Sequence, residues 1–164
     1  MNLVKSQIGS IKQSRPQEPQ PSLPLIVFKV GKLHLAVRIE SIYKIAEYPP
    51  AHGSEFNQFG VTNVGEHQVT VLDLYGQILG SSQISEHSPA EYLVIVRNRQ
   101  DELYGIAVID TPQLMEVPLS RIRVLPESYR RNDTLGIASH VAVIKHQTET
   151  LTIFVLDVEL LLPT

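Results

Sequence analysis

Residues 70–79 read Thr-Val-Leu-Asp-Leu-Tyr-Gly-Gln-Ile-Leu, and residues 153–162 read Ile-Phe-Val-Leu-Asp-Val-Glu-Leu-Leu-Leu. Both are apolar strands that run through Val-Leu-Asp into a short apolar stretch. The echo extends backwards from there. Gly60-Val61-Thr62-Asn63 precedes the first copy, and Gly136-Ile137-Ala138-Ser139 precedes the second. Earlier still, Leu33–Val37 has a counterpart in Leu103–Val108, and an apolar run ending in proline follows each, at Pro49 and Pro118. The spacing between paired landmarks grows along the chain, so the second copy carries longer loops. Self-similarity on this scale points to two copies of one small module. Two stacked copies create a groove between them.

A chain of 164 residues makes one domain or two very small ones. There is no cysteine, which excludes a disulfide framework, a thiol nucleophile and cysteine metal clusters. The N-terminal sequence shows no signal-peptide pattern, and no run approaches the roughly 20 apolar residues of a membrane helix. These features lead us to expect a cytoplasmic protein with no direct membrane insertion. A net charge of −3 argues against broad binding to a phosphate backbone. Trp is absent and aromatic residues make up only 6% of the chain, leaving few platforms for stacking bases. Nucleic acid is therefore not an expected partner.

Residues 1–22 are rich in Gln, Ser and Pro and are expected to form a disordered tail, since they have little to bury. The alternative there is a short docking motif around Leu3, Ile8 and Ile11. Residues 23–164 form the folded part: a first copy over about 23–80, a linker over 81–90 and a second copy over about 91–164. Strands are expected at 24–30 and 33–37 around the turn Gly31-Lys32. A helical turn with a strand follows over 40–45, ended by Pro49-Pro50, and then a polar loop over 51–59. A second hairpin over 60–64 and 68–72 turns through Gly65-Glu66-His67. In the second copy, strands are expected at 92–97, 103–109, 114–117, 135–145 and 151–156. A helical turn and strand are read at 119–125, and a charged loop at 127–133. Asp73 and Asp157 sit where each would cap a short helix, over 74–79 and 158–162. Many short strands and few helices give an all-β fold of two small barrels or sandwiches, with short helices and a pseudo-repeat.

The sequence offers no enzyme. The six histidines include no His-x₃-His or His-Glu-x-x-His spacing, and no nucleophile elbow or phosphate loop is present. His67 and His146 fall in equivalent turns, and two exposed turn histidines account for them more simply than a shared metal site. Asp73 and Asp157 are the best candidate acid pair, but capping explains both. No metal or cofactor is expected.

The segments LIVFKVGKLHLAV at 25–37, IESIYKIAEYPP at 39–50, GVTNVGEHQVTVLDLYGQILG at 60–80 and YLVIVRNRQDELYGIAVID at 92–110 occur in an order that resembles the CheW-like domain family. These are coupling proteins of bacterial chemotaxis and related motility systems. The resemblance covers about residues 23–164 and is strongest from Gly60 to Leu74. It implies two five-stranded SH3-like β-barrels sharing a hydrophobic interior. It also implies a scaffold without catalysis or cofactor, with no room for a separate receiver domain. One surface would bind the CheW-like regulatory domain of a histidine kinase, and another the cytoplasmic tip of a methyl-accepting-type receptor. Gly60, Val61 and Asn63 match the family segment beside the receptor groove, and Ile42 matches an apolar position there. Two positions depart from the pattern. Lys44 stands where the family usually carries Glu, and Gly65-Glu66 stand where it usually carries Arg-Gly. The signs look exchanged, so either Lys44 and Glu66 form the family's ion pair in reverse or both are simply solvated.

Three functions compete at this stage. The first is a coupler for chemotaxis, phototaxis or twitching, recruited to membrane receptor arrays. The second is an inhibitory or decoy array component. The third, from another class, is a barrel that binds nucleic acid or a small ligand.

Overall fold

The computed structural model describes residues 20–48, 60–75, 90–130 and 136–161. Several expectations lie outside those residues: the tail to residue 19 with its docking motif, the Pro49-Pro50 stop, the loop 51–59, the helix beyond Tyr75, most of the linker, and the end of the charged loop. Eleven strands are present among the described residues: β1 (Ser22–Val30), β2 (Leu33–Arg38), β3 (Ile42–Glu47), β4 (Val61–Val64), β5 (His67–Leu72), β6 (Tyr92–Arg97), β7 (Leu103–Val108), β8 (Gln113–Pro118), β9 (Ile122–Val124), β10 (Ala138–His146) and β11 (Glu149–Leu156). Short 3-10 turns at Ile39–Ser41 and Leu119–Arg121 lead into β3 and β9, where the sequence reads a helical turn before a strand. One expectation is corrected. The start of the charged segment is a helical turn, Glu127–Arg130, not a loop. It follows Pro126 and carries its acid at the first position, which suits a helix N-terminus.

The strands form two sheets, in the orders β8-β1-β2-β11-β10-β9 and β3-β6-β7-β5-β4. Apart from β9, the two have the same plan. Each contains a hairpin, a parallel partner beside it (β11 on β2, β5 on β7) and an antiparallel neighbour beyond (β10, β4). The sheets nevertheless do not follow the halves of the chain. Hairpin β1–β2 lies among strands of the second copy, and hairpin β6–β7 among strands of the first. Each copy lends its opening hairpin to the other.

Burial explains the exchange. The hairpin strands are apolar on both faces, and all six residues of β7 are buried. One face of β6–β7 (Leu93, Ile95, Leu103, Ala107) packs with Val64 and Val69 of its own sheet. The matching face of β1–β2 (Leu25, Val27, Ala36) packs with Val117, Ala142, Ile153 and Val155. The five-stranded sheet curls on itself, since the rings of Tyr43 on β3 and His67 on β5, three places apart in the strand order, touch. The opposite faces (Phe28, Val30, Leu35 and Val37 against Val94, Val96, Ile106 and Val108) meet in a single shared core. Three apolar layers result, and each of them draws residues from both copies. Gly105 lies opposite Ile95 on the inner face, and a Cβ there would come within 2.7 Å of Leu93. Tyr75, 2% exposed, donates a hydrogen bond of 3.2 Å to the Lys29 carbonyl, tying the end of β5 to hairpin β1–β2.

Candidate functional site

Hairpin β4–β5 carries most of the residues singled out in the sequence. Gly60 has φ +71° and its carbonyl accepts from the Val71 amide; an added Cβ would lie 3.1 Å from the Val71 carbonyl oxygen. Gly65 has φ +63° in the two-residue turn, with open space around it. The left-handed backbone is what requires glycine at both places. Val61 is half-buried, while Asn63, Gly65 and Glu66 are exposed at the tip. Between them Thr62 is 1% exposed, and its hydroxyl has no hydrogen-bond partner among the described residues.

Strand β3 forms the opposite edge of the same sheet. Ile42 is half-buried and packs against the shared core. The register with β6 slips between Ile42 and Lys44, which marks a bulge at Tyr43. Curling brings this bulge to the β4–β5 turn. The rings of Tyr43 and His67 meet edge to face, with centroids 5.4 Å apart. The Arg97 guanidinium lies 4.8 Å from the centre of the Tyr43 ring. Such a stack contributes about 0.5–1 kcal/mol at an exposed site.

The two charged residues read as a reversed pair are not joined. Among the described residues the ion pairs are Arg38–Glu40 and Arg97–Asp101, and neither Lys44 nor Glu66 takes part in one. The bulge supplies the reason, because Tyr43 is the β3 residue that contacts the hairpin. The sheet end therefore holds Lys44, Asn63, Gly65 and Glu66 as exposed groups around a Tyr43–His67–Arg97 cluster. Sequence reasoning missed that cluster. Its members lie on three strands, and no spacing in the chain links them.

Asp73 and Asp157 occupy equivalent ends of β5 and β11 in different sheets. Asp157 accepts from the Glu159 amide at 3.0 Å and begins the 3-10 turn Val158–Leu160. Asp73 precedes the helical Leu74-Tyr75, and its charge adds to burial in raising the Tyr48 phenol above its ordinary pKa. His67 opens β5 and His146 closes β10, so the two turn histidines belong to different sheets. Among the described residues no group of three or more His, Asp or Glu side chains is placed to hold a metal ion. Ser139 Oγ lies 2.7 Å from His140 Nδ1 at the β10 bulge, and no carboxylate among the described residues completes that contact into a triad. No helix among the described residues is long and apolar enough to cross a membrane.

The six-stranded sheet has a second exposed surface of different character. β9 pairs with β10 only at His140–Ala142, and the outer edge of β8 is unpaired among the described residues. Between β8 and the far half of β10 runs a groove of about 560 Å³, lined by apolar Leu114, Met115, Pro118, Val143 and Ile144 and by polar Glu116, Arg121, Lys145, His146 and Thr150. Leu114 is 58% exposed and Val143 48%. Apolar side chains beside open strand edges invite an added strand or a packed partner.

Comparison with known proteins agrees with this geometry. The family described as CheW-like domain matches residues 24–164. The fold is similar to the crystal structure of the scaffolding protein TtCheW from Thermoanaerobacter tengcongensis. That match has a TM-score of 0.59 and 14% identity, and covers 85% of this chain and 88% of that one. A search of curated protein sequences found no match.

Proposed function

Since the chain belongs to the CheW-like domain family, we propose that it is a non-enzymatic scaffold that places a sensor histidine kinase under the control of receptors. The observation that carries this reading is the pair of unlike exposed surfaces on one core. The end of the five-stranded sheet offers glycine backbone, charges and an aromatic cluster. The six-stranded sheet offers a groove between strand edges whose aliphatic floor is rimmed by charged side chains. An adaptor needs two such surfaces, far enough apart in chemistry that two partners do not compete.

In this reading the receptor's cytoplasmic tip contacts Ile42, Lys44, Gly60, Val61, Asn63, Gly65 and Glu66. The kinase's regulatory domain, itself CheW-like, packs at the β8/β10 groove. Each contact is modest alone and gains strength from multivalency in an array. The pathway is one of chemotaxis, phototaxis or twitching motility. The test is sedimentation of the purified chain with a receptor-tip fragment and the kinase regulatory domain from the same organism. A three-component complex larger than either pair is expected. Mutually exclusive binding, with one partner displacing the other, contradicts the scaffold.

A further inference from the structure

We infer that Arg97, held over the ring of Tyr43 at the end of the five-stranded sheet, is a preformed receptor for a carboxylate on the partner protein. This rests on the reading that the partner there is a receptor tip, and it names the residue that recognises it.

The geometry has three parts. First, the guanidinium is stacked 4.8 Å over the ring, and the ring is braced on its edge by His67. A stacked guanidinium keeps its donor fork while losing rotational freedom before any partner arrives. Second, the fork is little used. The contact of Arg97 with Asp101 is 3.9 Å from Nε, longer than a hydrogen bond, and Asp101 itself is 86% exposed at the side chain. Among the described residues the Arg97 side chain makes no other polar contact. Third, a second cation lies on the same face. Lys44 sits opposite Ile95, two residues before Arg97 on the same face of β6. Ala46, opposite Leu93, lies further along the same face. Glu66, at the hairpin tip next to His67, is the acid on the far side.

An exposed arginine anchored on an aromatic ring has the composition of an interface hot spot. Its complement is a carboxylate that accepts both ends of the fork. A lysine at that place would keep the charge and lose the two-pronged geometry.

The experiment titrates the full chain with a soluble coiled-coil fragment carrying the cytoplasmic tip of a receptor from the same organism. Each tip Glu is changed in turn to Gln, and each tip Asp to Asn. Arg97→Lys is expected to weaken binding at least tenfold without lowering the melting temperature. Tyr43→Leu should weaken it similarly. One tip carboxylate should matter to the unsubstituted chain and cease to matter in Arg97→Gln. If the tip binds and Arg97→Lys and Arg97→Gln bind as well as the unsubstituted chain, the carboxylate receptor is wrong while the coupling role stands. If no tip fragment binds the unsubstituted chain, the receptor reading fails and takes this inference with it.

Discussion

At the scale of single residues, the chain is most sensitive where side chains cross between layers. Tyr75 reaches from the end of β5 to the Lys29 carbonyl, and burial first of all pushes its phenol above its ordinary pKa. Tyr75→Phe keeps the packing and leaves the carbonyl without its donor. A loss of about 1 kcal/mol in urea denaturation is expected. Gly105→Ala meets Leu93 at 2.7 Å, and overpacking of this kind costs roughly 1–3 kcal/mol. His34 on β2 titrates below its ordinary value of 6.5, because burial and then Lys29 disfavour its charge, against a smaller opposing effect of Glu149. The unfolded chain therefore takes up this proton more readily than the folded one. The stability contributed is intact above pH 6.5 and is lost as the pH falls below it. Melting temperatures measured from pH 7.5 down to 5.5 should fall less in His34→Gln than in the unsubstituted chain. Some of these residues were legible in the sequence. Gly60 and Gly65 stand where strands turn, and Asp157 caps as its position suggests. Tyr43 and Arg97 were not, because only the bulge and the curl of the sheet bring them together.

At the scale of elements, period-two alternation and turn residues located nearly every described strand to within a residue or three. The same signals cannot say which strands become neighbours. A strand buried on both faces reads as a continuous apolar run, and such a run fits any central place in either sheet. The exchange of β1–β2 and β6–β7 is decided by packing in the shared core, which the repeat alone does not reveal. It has a direct consequence. Neither copy owns a complete sheet, so a chain cut within the linker, between residues 85 and 86, should give two fragments that are unfolded alone. Mixed together they should regain the β-sheet circular dichroism and the melting transition of the intact chain. Independent folding of either fragment would mean that the hairpins are not exchanged. The short β9 is the other departure from symmetry. It adds a sixth strand to one sheet and leaves the far half of β10 open.

At the scale of the whole molecule, one core presents two surfaces that differ in chemistry, and the differences lie where the repeat is broken. The hairpin β4–β5 is short and ends in Gly65-Glu66, whereas β10–β11 is long and borders the groove. The family resemblance pointed to residues of the first surface and to none of the second, because a groove between strand edges leaves no motif in the chain. The account's central claim is that these surfaces join a receptor to a kinase. Its most direct test is autophosphorylation of the cognate histidine kinase with receptor-bearing membranes, with and without the chain. The account predicts that adding the chain raises the rate and makes it respond to receptor ligand. A rate that is unchanged, or lowered at every ligand concentration, would contradict it.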